Sequence, residues 1–269
     1  MKLISRLLLL LSLSLGLNGT AAASGDVFNK IIDKGEIRVG VSIMAPWVMK
    51  NKDGKYSGFE IDIANQLASD MGVKVAFSEY LWDDLLQALL DRKIDIIASG
   101  LSITPGRSLK VNFSQPYSTS GYSLVSNLKL TKDFKSIMDL NSDKVYIGAV
   151  AGTVSEGLVG KVFPKAKLDS FKNQEEAENA VVNGTVHAVV ASDPIPTFIA
   201  LNHSGEVDLP LEKPLMTTRE AFAINKSNPE MLNYLNSWII AHEADEWISS
   251  SHKYWFKSLK WRRKLLAQQ

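Results

Sequence analysis

Cysteine is missing from all 269 residues. Its absence excludes disulfides, thiolate chemistry and the lipid-modified cysteine of an anchored lipoprotein, so the fold must be held by its core. An excess of either charge is also missing. The 30 Lys and Arg face 29 Asp and Glu, a balance that argues against nucleic-acid binding, which depends on a basic surface. Beyond the first seventeen residues no run approaches the ~20 apolar residues that cross a bilayer. Histidine is scarce, and His187, His203 and His252 are scattered. His242-Glu243 opens a metalloprotease-like string, but Glu246 stands where its second histidine belongs. Ser155 lacks the flanks of a nucleophile elbow, and no glycine-rich phosphate loop is found.

What is present begins with a leader. Lys2 and Arg6 precede an apolar stretch from Leu7 to Leu17, and Ala21-Ala22-Ala23 supplies small residues for cleavage. The pattern predicts a signal peptide over residues 1–23, cut after Ala23. Losing Lys2 and Arg6 leaves one more acid than base. About 245 residues then remain, enough for one large domain or two of about half that size.

The mature chain alternates strand and helix signals, which predicts an α/β fold. Strands are expected at 36–41, 73–77 and 94–98, and helices after Gly58 and from Trp82 to Leu90. A second unit places strands at 146–150 and 186–191, a helix opened by Gly152-Thr153, and a helix over 174–182 that turns at Asn183-Gly184. The segments 89–100 and 180–193 both read helix, polar turn, buried strand, polar residue. That weak repeat suggests two lobes of related architecture. In open α/β sheets ligands bind beyond the carboxyl ends of strands, which is where Ser99-Gly100 and Ser192-Asp193 stand.

These segments carry a family resemblance. Gly58-Phe59-Glu60-Ile61-Asp62-Ile63-Ala64 resembles a G-F-x-x-D-x-A segment. Ser102-Ile103-Thr104-Pro105-Gly106-Arg107, followed by Val111-Asn112-Phe113-Ser114-Gln115-Pro116-Tyr117, resembles an S/T-x-T-x-x-R…V-x-F-S-x-P-Y block. Ala151-Gly152-Thr153, Ala221-Phe222-Ala223-Ile224 and Lys253-Tyr254-Trp255-Phe256 follow in order. The chain thus resembles the bacterial extracellular solute-binding proteins of family 3, the polar amino-acid type, over nearly its whole mature length.

The resemblance implies a two-lobed, type II periplasmic-binding-protein fold with a ligand cleft between the lobes and two hinge crossings. Lobe 1 is expected over 26–122 plus 220–269, and lobe 2 over 123–219. It implies a periplasmic monomer without cofactor or metal, whose partners are a small ligand, an amino acid in this family, and a membrane ABC transporter permease.

It also assigns roles. Arg107 would hold the ligand's α-carboxylate, for which its planar fork suits two parallel charge-assisted bonds. Ser102 would add a hydroxyl, and backbone near Gly100 would accept from the ammonium. Thr153, at a helix start, would meet the carboxylate from lobe 2, or serve simply as a cap. Asp193 resembles the aspartate that pairs with the ammonium. Trp47 and Trp82 are candidate stacking walls, although tryptophan is more often core. Glu60 and Asp62 are read as helix-dipole partners. The segment Ser42-Ile43-Met44-Ala45-Pro46 lacks the acid that many relatives place before their aromatic wall, so a cationic ligand side chain is less supported.

Two rival classes share the scaffold. Periplasmic cyclohexadienyl dehydratases carry a glutamate acid three residues after the cleft aspartate. Here Pro196 occupies that position and has no proton to give. A sensory module would attach to a transmembrane helix, which this sequence does not show.

Overall fold

The computed structural model describes residues 27–258 and 261. The predicted leader lies outside them. Two mixed α/β lobes are each built on one sheet. In the first sheet the strands run, edge to edge, Lys74–Glu79, Glu36–Val41, Ile96–Ile97, Ala223–Ile224 and Asn112–Phe113. Glu36–Val41 pairs in parallel with Lys74–Glu79 along its whole length, and Val39 pairs with Ile96 on its other side. Ile37, Val39 and Val41 are fully buried with Phe59, Ile63 and Leu67 of helix Phe59–Asp70. Apolar residues on both elements therefore meet in one core, the main source of stability in a chain without disulfides.

The expected strand 94–98 is confined to Ile96–Ile97. The cause is Asp95. Its carboxylate accepts from Arg38 N at 2.9 Å and from Arg38 Nη2 at 2.6 Å, so a side chain takes up a donor that the strand ladder would otherwise use.

The second sheet runs Val207–Asp208, Ser118–Asn127, Ala188–Ser192, Tyr146–Val150 and Lys167–Phe171. Its core holds Leu124, Ile147, Val159 and Phe163. The internal repeat is visible here. Helix Trp82–Leu90 precedes a central parallel strand in the first sheet, and helix Gln174–Val182 precedes Ala188–Ser192 in the second.

The chain enters the second sheet through the ten-residue strand Ser118–Asn127 and returns through Met216–Glu220. These two pair antiparallel, from Ser118 with Glu220 to Tyr122 with Met216. They form the two-stranded ribbon that connects the lobes. None of the described helices is long and apolar enough to cross a membrane.

Candidate functional site

The site is assembled from the carboxyl ends of strands in both sheets. Gly100 follows Ile96–Ile97 with φ of +67°, a conformation that glycine adopts without strain. An added Cβ would stand 2.6 Å from the Trp47 ring. Its N–H donates to Glu60 Oε1 at 2.7 Å, while Tyr117 O–H donates to Glu60 Oε2 at 2.8 Å. Glu60 is thus a fully buried carboxyl fixing the backbone of the site, a larger part than the helix-dipole role read from the sequence. Burial pushes it up to about 8, against the two donated bonds and with added repulsion from Glu220.

Arg107 lies in the short helix Pro105–Ser108. Thr104 caps that helix, its hydroxyl accepting from Arg107 N at 3.2 Å. The guanidinium then reaches across the interlobe space. Nη1 donates to Ser102 O at 2.9 Å, and Nη2 donates to Gly152 O of the second lobe at 3.0 Å. It sits 5.8 Å from the Trp82 ring centre, and burial lowers its affinity for its proton. Trp82 Nε1 donates to the same Gly152 carbonyl at 3.2 Å. Two lobe 1 donors therefore converge on one lobe 2 acceptor.

Ser102 is buried, its hydroxyl bonded to Tyr122 O–H at 2.9 Å and Thr218 Oγ1 at 3.1 Å, both on the connecting ribbon. Thr153 occupies the position before helix Val154–Val162, but its hydroxyl donates back to Val150 O at 2.6 Å and does not cap that helix. The helix N–H groups stay available there. Asp193 follows Ala188–Ser192, its N–H bonded to Gly121 O at 2.8 Å. Burial raises its carboxyl above the ordinary aspartate range. A Cβ on Gly121 would meet Asp193 Oδ2, so the missing side chain at Gly121 makes room for this carboxylate beside the ribbon.

Trp47 is placed differently from the stacking wall considered in the sequence. It is 1 % exposed and packs edge-on against Phe256 with centroids 4.8 Å apart. The reason is local. Phe59 N donates to Pro46 O and Glu60 N to Trp47 O, both at 3.0 Å, so the backbone of Pro46-Trp47 caps helix Phe59–Asp70. Gly58, with φ of +134°, permits that approach, since a Cβ would stand 2.3 Å from Trp47 O. The cap turns the indole into the core. Trp82, by contrast, faces the interlobe space.

A cavity of about 610 Å³ opens between the lobes, walled by Ser42, Met44 and Trp82 on one side and by Val150, Thr153 and Gln174 on the other. Sequence reading did not find Glu220. It is almost wholly buried on the ribbon, Thr218 O–H donates to its Oε1 at 3.2 Å, and the Ser118 and Ser120 hydroxyls lie beside it. Burial pushes it up to about 7. One signal was available: an acid directly before the apolar run Ala221-Phe222-Ala223-Ile224. No group of three or more His, Asp or Glu among the described residues has the arrangement of a metal site.

Comparison with known proteins agrees with this fold. The L-cystine-binding protein TcyJ of Escherichia coli is 24% identical over 249 residues, covering 90% of each chain. The crystal structure of the ancestral amino acid-binding protein AncCDT-1, a precursor of cyclohexadienyl dehydratase, matches with TM-score 0.79 and 35% identity. That match covers 86% of this chain and 100% of the other. A putative binding component of an ABC transporter from Wolinella succinogenes, complexed with lysine, gives TM-score 0.79 and 33% identity over 86% and 99%. The pattern of the bacterial extracellular solute-binding proteins, family 3, matches residues 37–258, and the chain belongs to that family.

Proposed function

We propose that this chain captures an amino acid between its lobes in the periplasm and presents the closed form to a membrane ABC transporter. The reading is supported by two opposite charges beyond strand ends of the two sheets, one of which, Arg107, bonds across to the second lobe. Arg107 reaches across from the first lobe, and Asp193, its carboxylate accepting no hydrogen bond among the described residues, stands at a strand end of the second. A zwitterion supplies the complement of both. Its carboxylate would take the place of Gly152 O on Arg107 Nη2, next to the free N–H groups of helix Val154–Val162. Its ammonium would lie between Asp193 and the backbone near Gly100, which Glu60 holds in position.

Closure follows from differential contact. A ligand touching both lobes gains its full binding energy only when they meet, so it shifts the population toward the closed form. The lobes would move about the ribbon of Ser118–Asn127 and Met216–Glu220. Binding without chemistry is supported by the acid position of the dehydratase reading. Pro196 is buried in the first turn of helix Ile195–Asn202, and neither Glu60 nor Glu220 presents its carboxyl to the cleft.

A thermal-shift panel of amino acids, simple carboxylates and prephenate tests the reading. At least one amino acid should raise the melting temperature in proportion to the logarithm of its concentration above Kd. A shift with prephenate, accompanied by its turnover, would replace capture with catalysis.

A further inference from the structure

We propose that the interlobe cavity selects an amino acid whose side chain ends in a hydrogen-bond acceptor, an amide, urea or carboxylate, over one ending in a guanidinium or ammonium. The inference rests on the amino-acid reading above. Trp82 and Thr153 belong both to the region of the carboxylate clamp and to the cavity, so the rest of the cavity wall is what a ligand side chain would meet.

That wall offers an apolar stem site and then donors. Ile43, Met44, Leu81 and Val150 supply the apolar part. Gln174 brings an amide whose Nε2 is buried without a partner among the described residues. It is the first residue of helix Gln174–Val182, so backbone N–H groups and the positive end of the helix dipole are beside it. Lys172 adds a cation on the same stretch of wall.

The carboxylates of the wall, Glu79 and Glu175, are both exposed, and Glu79 is already paired. Glu79 takes Lys50 Nζ at 2.8 Å and Tyr56 O–H at 3.0 Å. Asn173 Oδ1 accepts from Glu176 N at 2.9 Å. An ion pair at an exposed carboxylate contributes little. A cationic side chain would enter without a buried partner, which is unfavourable, and the exposed Lys172 adds a weak repulsion. An acceptor would satisfy Gln174.

Calorimetry with L-citrulline and L-arginine isolates the effect, because the two have the same shape and differ in a neutral urea against a guanidinium. Citrulline should bind at least ~10-fold tighter, roughly the factor that one hydrogen bond and one avoided charge burial supply. Gln174→Leu should weaken citrulline relative to L-norleucine, which has no acceptor. Lys172→Glu should narrow or reverse the preference. Arginine binding as tightly as citrulline, or citrulline no better than norleucine, overturns the inference while leaving amino-acid capture intact. Failure of every amino acid to bind removes the capture reading itself, and this inference with it.

Discussion

Arg107 carries most of what can be tested with one substitution. Its two donated bonds, 2.9 and 3.0 Å long, fix where the fork stands between the lobes. Arg107→Ala should lower amino-acid affinity by at least ~100-fold, since hydrogen bonds to charged groups contribute about 1.5–3 kcal/mol each. Arg107→Lys should restore only part of it, because an ammonium cannot make the paired contact. Calorimetry with the best ligand of the panel decides; wild-type affinity in Arg107→Ala would move the site elsewhere. Asp193→Asn should separate ligands by charge. Amino acids should bind more weakly, while the matching acids without an ammonium should bind about as before, and equal losses for both would deny the pairing. The sequence singled out Arg107 because it lies in a recognisable block, and Asp193 because it is a charge just past a strand end. It could not place Trp47. Whether that indole stacks on a ligand or fills the core depends on Pro46 and Trp47 carbonyls capping a helix, a three-dimensional contact that no local pattern reports.

Among the elements, those with strong periodicity were legible to the residue. Trp82–Leu90, Tyr146–Val150 and Gln174–Val182 appear at their expected bounds. Strand 94–98 was shortened because Asp95 bonds Arg38 through its side chain. Least legible was the connecting ribbon, since a pairing between residues about a hundred apart leaves no periodic trace. That ribbon and helix Phe59–Asp70 carry the two buried acids, and these predict a pH dependence. Glu220 and Glu60 are pushed up to about 7 and about 8, chiefly by burial. The folded state keeps protons that the unfolded chain releases above its ordinary carboxyl range. Their contribution to stability is therefore full at low pH and is lost as pH rises through 7 and 8. Burial lowers His187 and His252, which acts in the opposite direction but only below about 6.5. Melting temperature should consequently fall between pH 7 and 9, and Glu60→Gln with Glu220→Gln should flatten that slope. A flat or rising wild-type profile in this window would show that both carboxyls are already ionised.

At the scale of the molecule, the question is what holds the two lobes together before ligand contributes. The main polar contact across the cleft is the Gly152 carbonyl, which accepts from Trp82 Nε1 and Arg107 Nη2. Away from it, the buried Trp261 packs edge-on against Phe198 of the second lobe and lies against Trp255, each at 5.6 Å between centroids. The indole N–H of Trp255 in turn donates to Asp62 of the first lobe at 2.6 Å. Hydrogen bonds of this kind contribute only about 0.5–1.5 kcal/mol, so they hold the lobes together weakly and a ligand touching both can shift the balance. Apparent affinity is reduced by whatever fraction of the protein is open. Trp82→Phe keeps an aromatic face toward the cleft but removes the cross-lobe N–H. It should enlarge the ligand-free radius of gyration measured by small-angle scattering and weaken binding ~3- to 10-fold. Saturating ligand should then return the radius to the wild-type bound value, because the lost bond acts on the open–closed balance and leaves the Arg107 clamp in place. A ligand-free radius unchanged by Trp82→Phe would mean that the Gly152 carbonyl does not set that balance, and that the aromatic contacts around Trp261 and the connecting ribbon hold the lobes by themselves.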